Sequence, residues 1–426
     1  MKKLFSVENL GSYDVVICGG GASGIAAAYS AYEQGAKVLI IEKAGIIGGN
    51  LTIGHIGPMM GEYEKNTFAD RLTKLLAEDK FLSVYDFEKA KIKLTELLDK
   101  ENITIFLNSS VTEVIKKGKK IKQVIFSTQN GLKSVSGKIF IDATGDGVLS
   151  YLAKEKIMYG REDGLVQPLS IMFTICGVDE KQNLICMHEE MDTPLKKGNY
   201  LQLCKDACAS GELPKTVNIV RLYAGLNKGE RLVNATQENG LNPLSLTDYT
   251  KAQVELRKQI LQVFNFLKNN IEGFENIKIK DSSDIVGVRE SRRVKGEYLI
   301  TSQELMAGKK HKDVIVHNAS FALDIHNPDG AGQAESEGLP PQPPKYDIPY
   351  RATLPLKTDN LLLSGRIISG THRAHASYRV MNIATCIGEA VGISAGLCIK
   401  ENTLPKQLKV EKIQKVLLDK NINLFN

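Results

Sequence analysis

The chain has 426 residues, 42% apolar and 24% charged, enough to bury a large core and too apolar for a disordered chain. Its 55 basic and 49 acidic side chains leave a formal charge of +6, mild for this size, so no nucleic-acid partner is expected.

In chain order, residues 13–18 read as a buried parallel strand. Residues 22–34 form an alanine-rich helix ending at Gly35, and residues 37–41 a second strand closed by Glu42. Together they make a βαβ unit of about 30 residues. A glycine-rich stretch, 45–61, precedes two amphipathic helices at 67–78 and 86–99. Residues 103–107 form a strand, 111–136 a small meander turning near Gly118 and Gly131, and 138–142 another buried strand. The basic run at 116–120 falls on the first of these turns and reads as a solvated hairpin.

Beyond residue 155 the pattern changes. Residues 167–178 read as a strand, 180–245 as irregular and polar, and a long amphipathic helix begins at 247. The proline cluster at 339–344 reads as an extended crossing or surface loop. Residues 360–363 return as a buried strand, 382–398 form a helix of small residues, and 410–418 a docked surface helix. Residues 1–3 are followed by too few apolar residues for a signal peptide, and no apolar run reaches about 18 residues, so no spanning helix is expected. Seven scattered cysteines without a Cys-x-x-Cys spacing point to reduced thiols in a cytoplasmic protein.

The spacing Gly19-x-Gly21-x-x-Gly24 lies between a strand and a helix, the context a dinucleotide-binding turn requires. Gly19 permits the turn, Gly21 lets the backbone approach a pyrophosphate, and Gly24 lets helix and strand pack closely. The free N–H groups of the helix start favour phosphate. Glu42 is placed to accept from ribose hydroxyls.

Later segments return to this unit: "EKAGIIGGN", "DATGDG", "VQPLSIMFTICGV", "VGVRESRRVKGEY", "DIH", "NLLLSGRIISGTHRAHASYRVM" and "IGEAVGISAG". With these, the chain resembles the FAD-dependent oxidoreductase family, relatives of fumarate reductases and heterodisulfide reductase flavin subunits. The resemblance implies an α/β fold: a Rossmann-like FAD-binding domain of the glutathione-reductase type with an inserted mixed α+β cap. The FAD domain would be 1–155 plus 345–400, the cap or substrate domain 156–344, and a helical tail 401–426. It also implies non-covalent FAD, since His55 lies too late after the glycine pair for the succinate-dehydrogenase type of tether. Gly19, Gly21, Ala22, Ser23, Gly24, Glu42 and Lys43 would hold the ADP half, with Val111 beside it. Gly48, Gly49 and Asn50 would lead toward the ribityl chain. Ala143, Thr144, Gly145 and Asp146 would lie beside the cofactor, and Gly365 and Arg366 beneath the flavin. Several relatives carry an acidic residue where this chain has Arg366. Asn382 and Ile383 would open a helix whose N-terminus faces the flavin and stabilises negative charge there.

Flavin supplies the electron chemistry, so the protein must position a substrate and move a proton. His372 or His375 is the expected acid/base, with Arg289 and Arg379 as anion anchors; His326 and His55 are secondary candidates. The His-x-x-His spacing at 372 and 375 lacks a third ligand, so no metal is expected. No second glycine fingerprint follows a strand, so electrons enter or leave through substrate, a soluble acceptor, oxygen or a protein partner. The expected reaction is hydride transfer between flavin N5 and a small organic substrate. A flavin monooxygenase and a flavin-carrying electron-relay subunit are the alternatives, and the acceptor and any homo-oligomer stay open.

Overall fold

Strand Val7–Cys18, helix Ala22–Glu33 and strand Val38–Ile41 form the expected βαβ unit. These are seen in a computed structural model that describes residues 6–79, 84–186, 193–195, 198–332 and 340–425. The strands pair in parallel, Cys18 opposite Ile41, and Ile103–Phe106 extends the sheet beyond Val38–Ile41. On the other side Val7–Cys18 pairs with Gly131–Asp142, Cys18 opposite Asp142, and Leu361–Leu363 follows with Leu363 opposite Asp142. The carboxyl ends of these parallel strands therefore emerge together, the edge where open parallel sheets bind ligands. The first part of Gly131–Asp142 pairs with Lys120–Thr128, which pairs with Ser110–Lys117, completing the expected meander.

Helix Met381–Lys400 packs against Ala22–Glu33. A Cβ at Gly388 would lie 2.2 Å from the Ser23 carbonyl oxygen, and one at Gly392 2.3 Å from that of Ala27, so this approach needs glycine at both positions. The helix corrects one expectation, because its length and composition do suffice to cross a membrane. Here 89% of its apolar stretch is buried inside the protein, which is how a helix apolar all round behaves as a core element.

The second sheet has the order Arg221–Ala224, Arg231–Asn234, Phe173–Cys176, Lys278–Ser282 and is antiparallel. Helices Tyr200–Ser210 and Leu246–Asn270 share one core with Phe173, Leu222 and Val233. Residues 180–245, expected to be irregular, thus contain a helix and two strands. The expected strand at 167–178 shortens to Phe173–Cys176 because side chains take up the preceding backbone: the Thr236 hydroxyl accepts from Ile171 N–H and donates to its carbonyl, 2.8 Å each.

Apolar side chains from Leu169 to Val286 build this second core, whereas Val294, Ile300, Val314 and Leu323 join that of the parallel sheet. On that ground we propose that the inserted unit closes near Val286, not at residue 344. Helix Val410–Asp419 docks through Ile413 and Leu417, and its Gln414 amide donates to Lys312 and Val314 carbonyls. Residues 1–3 and Leu339 of the proline segment lie outside the described residues; Pro341 receives the Leu323 N–H at 2.8 Å.

Candidate active site

The glycine turn separates two requirements. A Cβ at Gly24 would meet the Gly19 carbonyl oxygen at 2.0 Å, and one at Gly19, where φ is +103°, would meet that of Ala143 at 2.3 Å. Both glycines are demanded by the fold itself. A Cβ at Gly21 would meet nothing within 4 Å, so the protein leaves space there. Gly48 closes onto the turn, its N–H donating to the Gly20 carbonyl at 2.8 Å, and Gly49 and Asn50 begin a short 3-10 turn. Glu42 accepts from Gly20 N–H at 2.6 Å and from Ala44 N–H at 2.8 Å, which pins the carboxylate beside the turn.

The loop after Gly131–Asp142 is folded by Asp142. One of its oxygens accepts from the Thr144 N–H and hydroxyl, the other from the Ser150 N–H and hydroxyl. This sets Ala143 against Gly19 and brings out Gly145 and Asp146. Arg366 lies over Gly145 and donates to Asp146 at 2.9 Å; Ser291 also donates to Asp146, and the mostly exposed Lys43 stands 3.8 Å away. Burial acts to raise the Asp146 carboxyl, yet Arg366 and Lys43 hold it below its ordinary range. Gly365 touches Ser23, whose hydroxyl bonds that of Ser364. Asn382 donates from its backbone to Met60 and from its side chain to Gly61, and Ile383 is buried beside Gly61. Val111 stands apart in the meander opposite Phe126; its link to the cradle is Ser109, two residues earlier, whose N–H donates to the Glu42 carbonyl.

Between this edge and the second sheet lies a cavity of about 480 Å³. Asn50 and Arg366 line it from the first side; Arg221, Tyr223, Arg289 and His326 line it from the other. Ile56, Met60, Met172 and Phe321 make much of the wall. Arg221 and Tyr223 face it because alternate residues of their strand do, Leu222 pointing into the second core. Arg289 donates to the Pro168 carbonyl at 3.0 Å and the Ser170 hydroxyl at 2.8 Å. Arg379 donates to Asp324 at 3.0 Å, and His326 stands 3.6 Å from the same carboxylate. Burial and the neighbouring Arg379 push the Arg289 guanidinium down to about 10; burial and Arg289 push the His326 imidazole down to about 3. His326 is therefore neutral at physiological pH. Burial also raises the Tyr223 phenol, which accepts from the Asn234 amide at 3.2 Å.

Of the four expected catalytic residues, Arg289 and Arg379 line the cavity and the two histidines do not. His372 and His375 sit in helix His372–Tyr378, capped by Thr371. The His372 ring bonds Glu290 at 2.9 Å. Glu290 is fully buried, pairs with Arg293 and accepts the Gln167 N–H. His375 is buried against Tyr378, its Nδ1 without a partner; burial first, then Arg293 and Arg379, keeps it neutral. His55 stacks on Phe87 with Asp281 3.3 Å from its Nδ1. Sequence reasoning missed Arg221 and Tyr223; their one signal was strand alternation around Leu222.

The residues present fit a flavin nucleotide. Space is left at Gly21, and Arg366 Nε and Asn382 Oδ1 are buried without a partner near the cavity. A 39-residue segment is 59% identical to an NADH:fumarate oxidoreductase of Klebsiella pneumoniae, covering 9% of this chain and 4% of that protein. Another of 163 residues is 27% identical to a thiamine thiazole synthase of Pyrococcus horikoshii, covering 34% and 63%. The chain thus spans less than two thirds of either relative. Among solved structures, a geranylgeranyl bacteriochlorophyll reductase-like protein of Thermoplasma acidophilum aligns over 97% of this chain and 84% of its own, with 15% identity and a TM-score of 0.48. An anhydrotetracycline hydroxylase of Streptomyces rimosus aligns over 96% and 66%, with 11% identity and a TM-score of 0.49. The profile of one family, described as FAD dependent oxidoreductase, matches residues 14–417. The chain belongs to the FAD-dependent oxidoreductase family, and its cofactor is FAD.

Proposed function

We propose that this protein is a dehydrogenase or reductase whose small organic substrate occupies the cavity between the glycine loops and the second sheet. The reading is carried by one observation: Asn50 and Arg366, from the loops expected to hold FAD, line the same cavity as Arg289, His326 and Arg379. When bound, FAD supplies two-electron redox chemistry. The chain's own residues do the rest. The apolar wall keeps water from the substrate, and Arg289 and Arg379 orient it. His326 is the proton-handling group in this reading, because it lines the cavity as a neutral imidazole and Asp324 lies beside its Nε2. His372 acts as a positioning residue through Glu290 and Arg293, which ties helix His372–Tyr378 to the segment carrying Arg289.

The test is anaerobic mixing of the FAD-loaded protein with a metabolite panel, followed by loss of the yellow flavin absorbance; reduced protein is tested the same way for reoxidation. Exchange with an organic substrate, slowed at least about tenfold in His326→Gln and not in His375→Gln, is the expected result. Oxygen-dependent formation of a hydroxylated product would replace this reading by a monooxygenase. Turnover only in complex with an iron–sulfur protein would replace it by an electron relay.

A further inference from the structure

The polar groups of the cavity are not evenly spread. Arg221, Arg289, His326 and Asn234 also line a small second pocket, of about one water's volume, behind the main one. They therefore stand between the two pockets. Arg379 joins them through Asp324. Met172, Tyr223, Ile56 and Met60 line the cavity and are backed by Leu232 and Phe87 of the same apolar cluster. Three guanidinium groups thus meet in a largely apolar chamber, and Asp324 is the one carboxylate among its described lining residues. Arg366, the fourth arginine of the lining, is matched by Asp146, and Glu290, near Arg379, is matched by Arg293. Arg379 is paired with Asp324, whereas among the described residues Arg289 is held by the Pro168 carbonyl and the Ser170 hydroxyl, both neutral, and a buried guanidinium is costly unless an anion accompanies it. Arg379 Nε, buried and without a partner, is one donor still to be satisfied.

We infer that the cavity selects an organic carboxylate with an apolar body, its carboxylate seated among Arg221, Arg289 and Arg379 and its body along Ile56, Met60, Met172 and Phe321. This rests on the cavity being the substrate site. A planar carboxylate suits guanidinium donors, and the chamber is within the size range of small-ligand pockets. A neutral amide of the same shape would bring an N–H₂ group among donors and leave the charge unmatched.

The experiment uses the FAD-loaded protein and three matched pairs of redox-inert probes: octanoate and octanamide, benzoate and benzamide, phenylacetate and phenylacetamide. Binding is read by titration calorimetry. At least one carboxylate is expected to bind at least about tenfold more tightly than its amide, as charged hydrogen bonds imply. Arg289→Met should abolish that preference, and Arg289→Lys should restore part of it. Arg221→Met, checked for an unchanged melting curve, is the second variant should Arg289→Met fail to fold. Equal binding of each pair, no binding by any carboxylate, or a preference that survives every folded variant would overturn the inference. The underlying functional reading fails separately: carboxylates would bind with the stated preference, yet no carboxylate of a metabolite panel would exchange electrons with the flavin. Conversely, electron exchange with neutral substrates and no carboxylate preference would sink the inference alone.

Discussion

The glycine loops proposed to cradle the nucleotide and the proposed substrate chamber share Asn50 and Arg366 but are built on different principles. The cradle is a matter of backbone shape: Gly19, Gly24 and Gly48 let three loops touch, and the carboxylates of Glu42 and Asp142 fix those loops by accepting from their N–H groups. The chamber is a matter of side-chain charge, with arginines from separate segments held in place by carbonyls, hydroxyls and one carboxylate. Shape tolerates almost no added atom, whereas charge tolerates exchange of a residue but not loss of its partner.

The largest expected effect lies behind the chamber. Glu290→Gln keeps the size of the side chain but leaves the buried Arg293 guanidinium without its counter-charge, and should cost about 3–5 kcal/mol in denaturant unfolding. Acid comes next. Folding lowers His326 from its ordinary 6.5 to about 3, so between these values the unfolded chain binds a proton that the folded chain refuses. Stability therefore falls as pH drops through that window. His326→Gln should show a shallower fall over the same range; an identical pH profile would remove His326 from the buried neutral state.

Two glycines sharpen the contrast. Gly24→Ala places a methyl group against the Gly19 carbonyl and should destabilise the FAD-free protein by about 1–3 kcal/mol. Gly21→Ala meets nothing in the protein, so its FAD-free melting curve should stay unchanged while FAD affinity falls about tenfold or more, or ~1.4 kcal/mol. If both substitutions behaved alike, the separation of fold-required from ligand-required glycine would be wrong. Smallest of all, Lys43→Ala removes a 3.8 Å ion pair from a side chain that is mostly exposed, and should change stability by less than about 1 kcal/mol.

The same contrast explains what could be read from the amino-acid order. The cradle was legible because its parts are contiguous: a glycine spacing, a strand before it, a helix after it, and an acidic residue at the next strand end. The returning strand Leu361–Leu363 was legible as a continuous apolar run and the helix Met381–Lys400 as a long stretch of small residues. The chamber was only half legible. Arg289 and Arg379 stand in motifs, but Arg221 and Tyr223 occupy alternate positions of a four-residue strand inside a polar stretch, too short for periodicity to register. Helix Tyr200–Ser210 escaped for a similar reason, its buried face being only Tyr200, Cys204 and Ala207. His372 and His375 looked catalytic because they follow the flavin-loop signature, yet helix His372–Tyr378 turns them toward Glu290 and Tyr378 and away from the cavity. Which way a short helix faces is set by its tertiary neighbours and cannot be read from seven residues.

The central claim is that a single chamber holds the substrate anion directly against the cofactor. It is tested most directly by recording the visible spectrum of the FAD-loaded protein while a carboxylate that binds by calorimetry is titrated in. A saturable shift of the flavin bands, with the same dissociation constant as the calorimetric one and absent in Arg289→Met, is the expected outcome. Calorimetric binding that leaves the flavin spectrum untouched would place the anion elsewhere and contradict it.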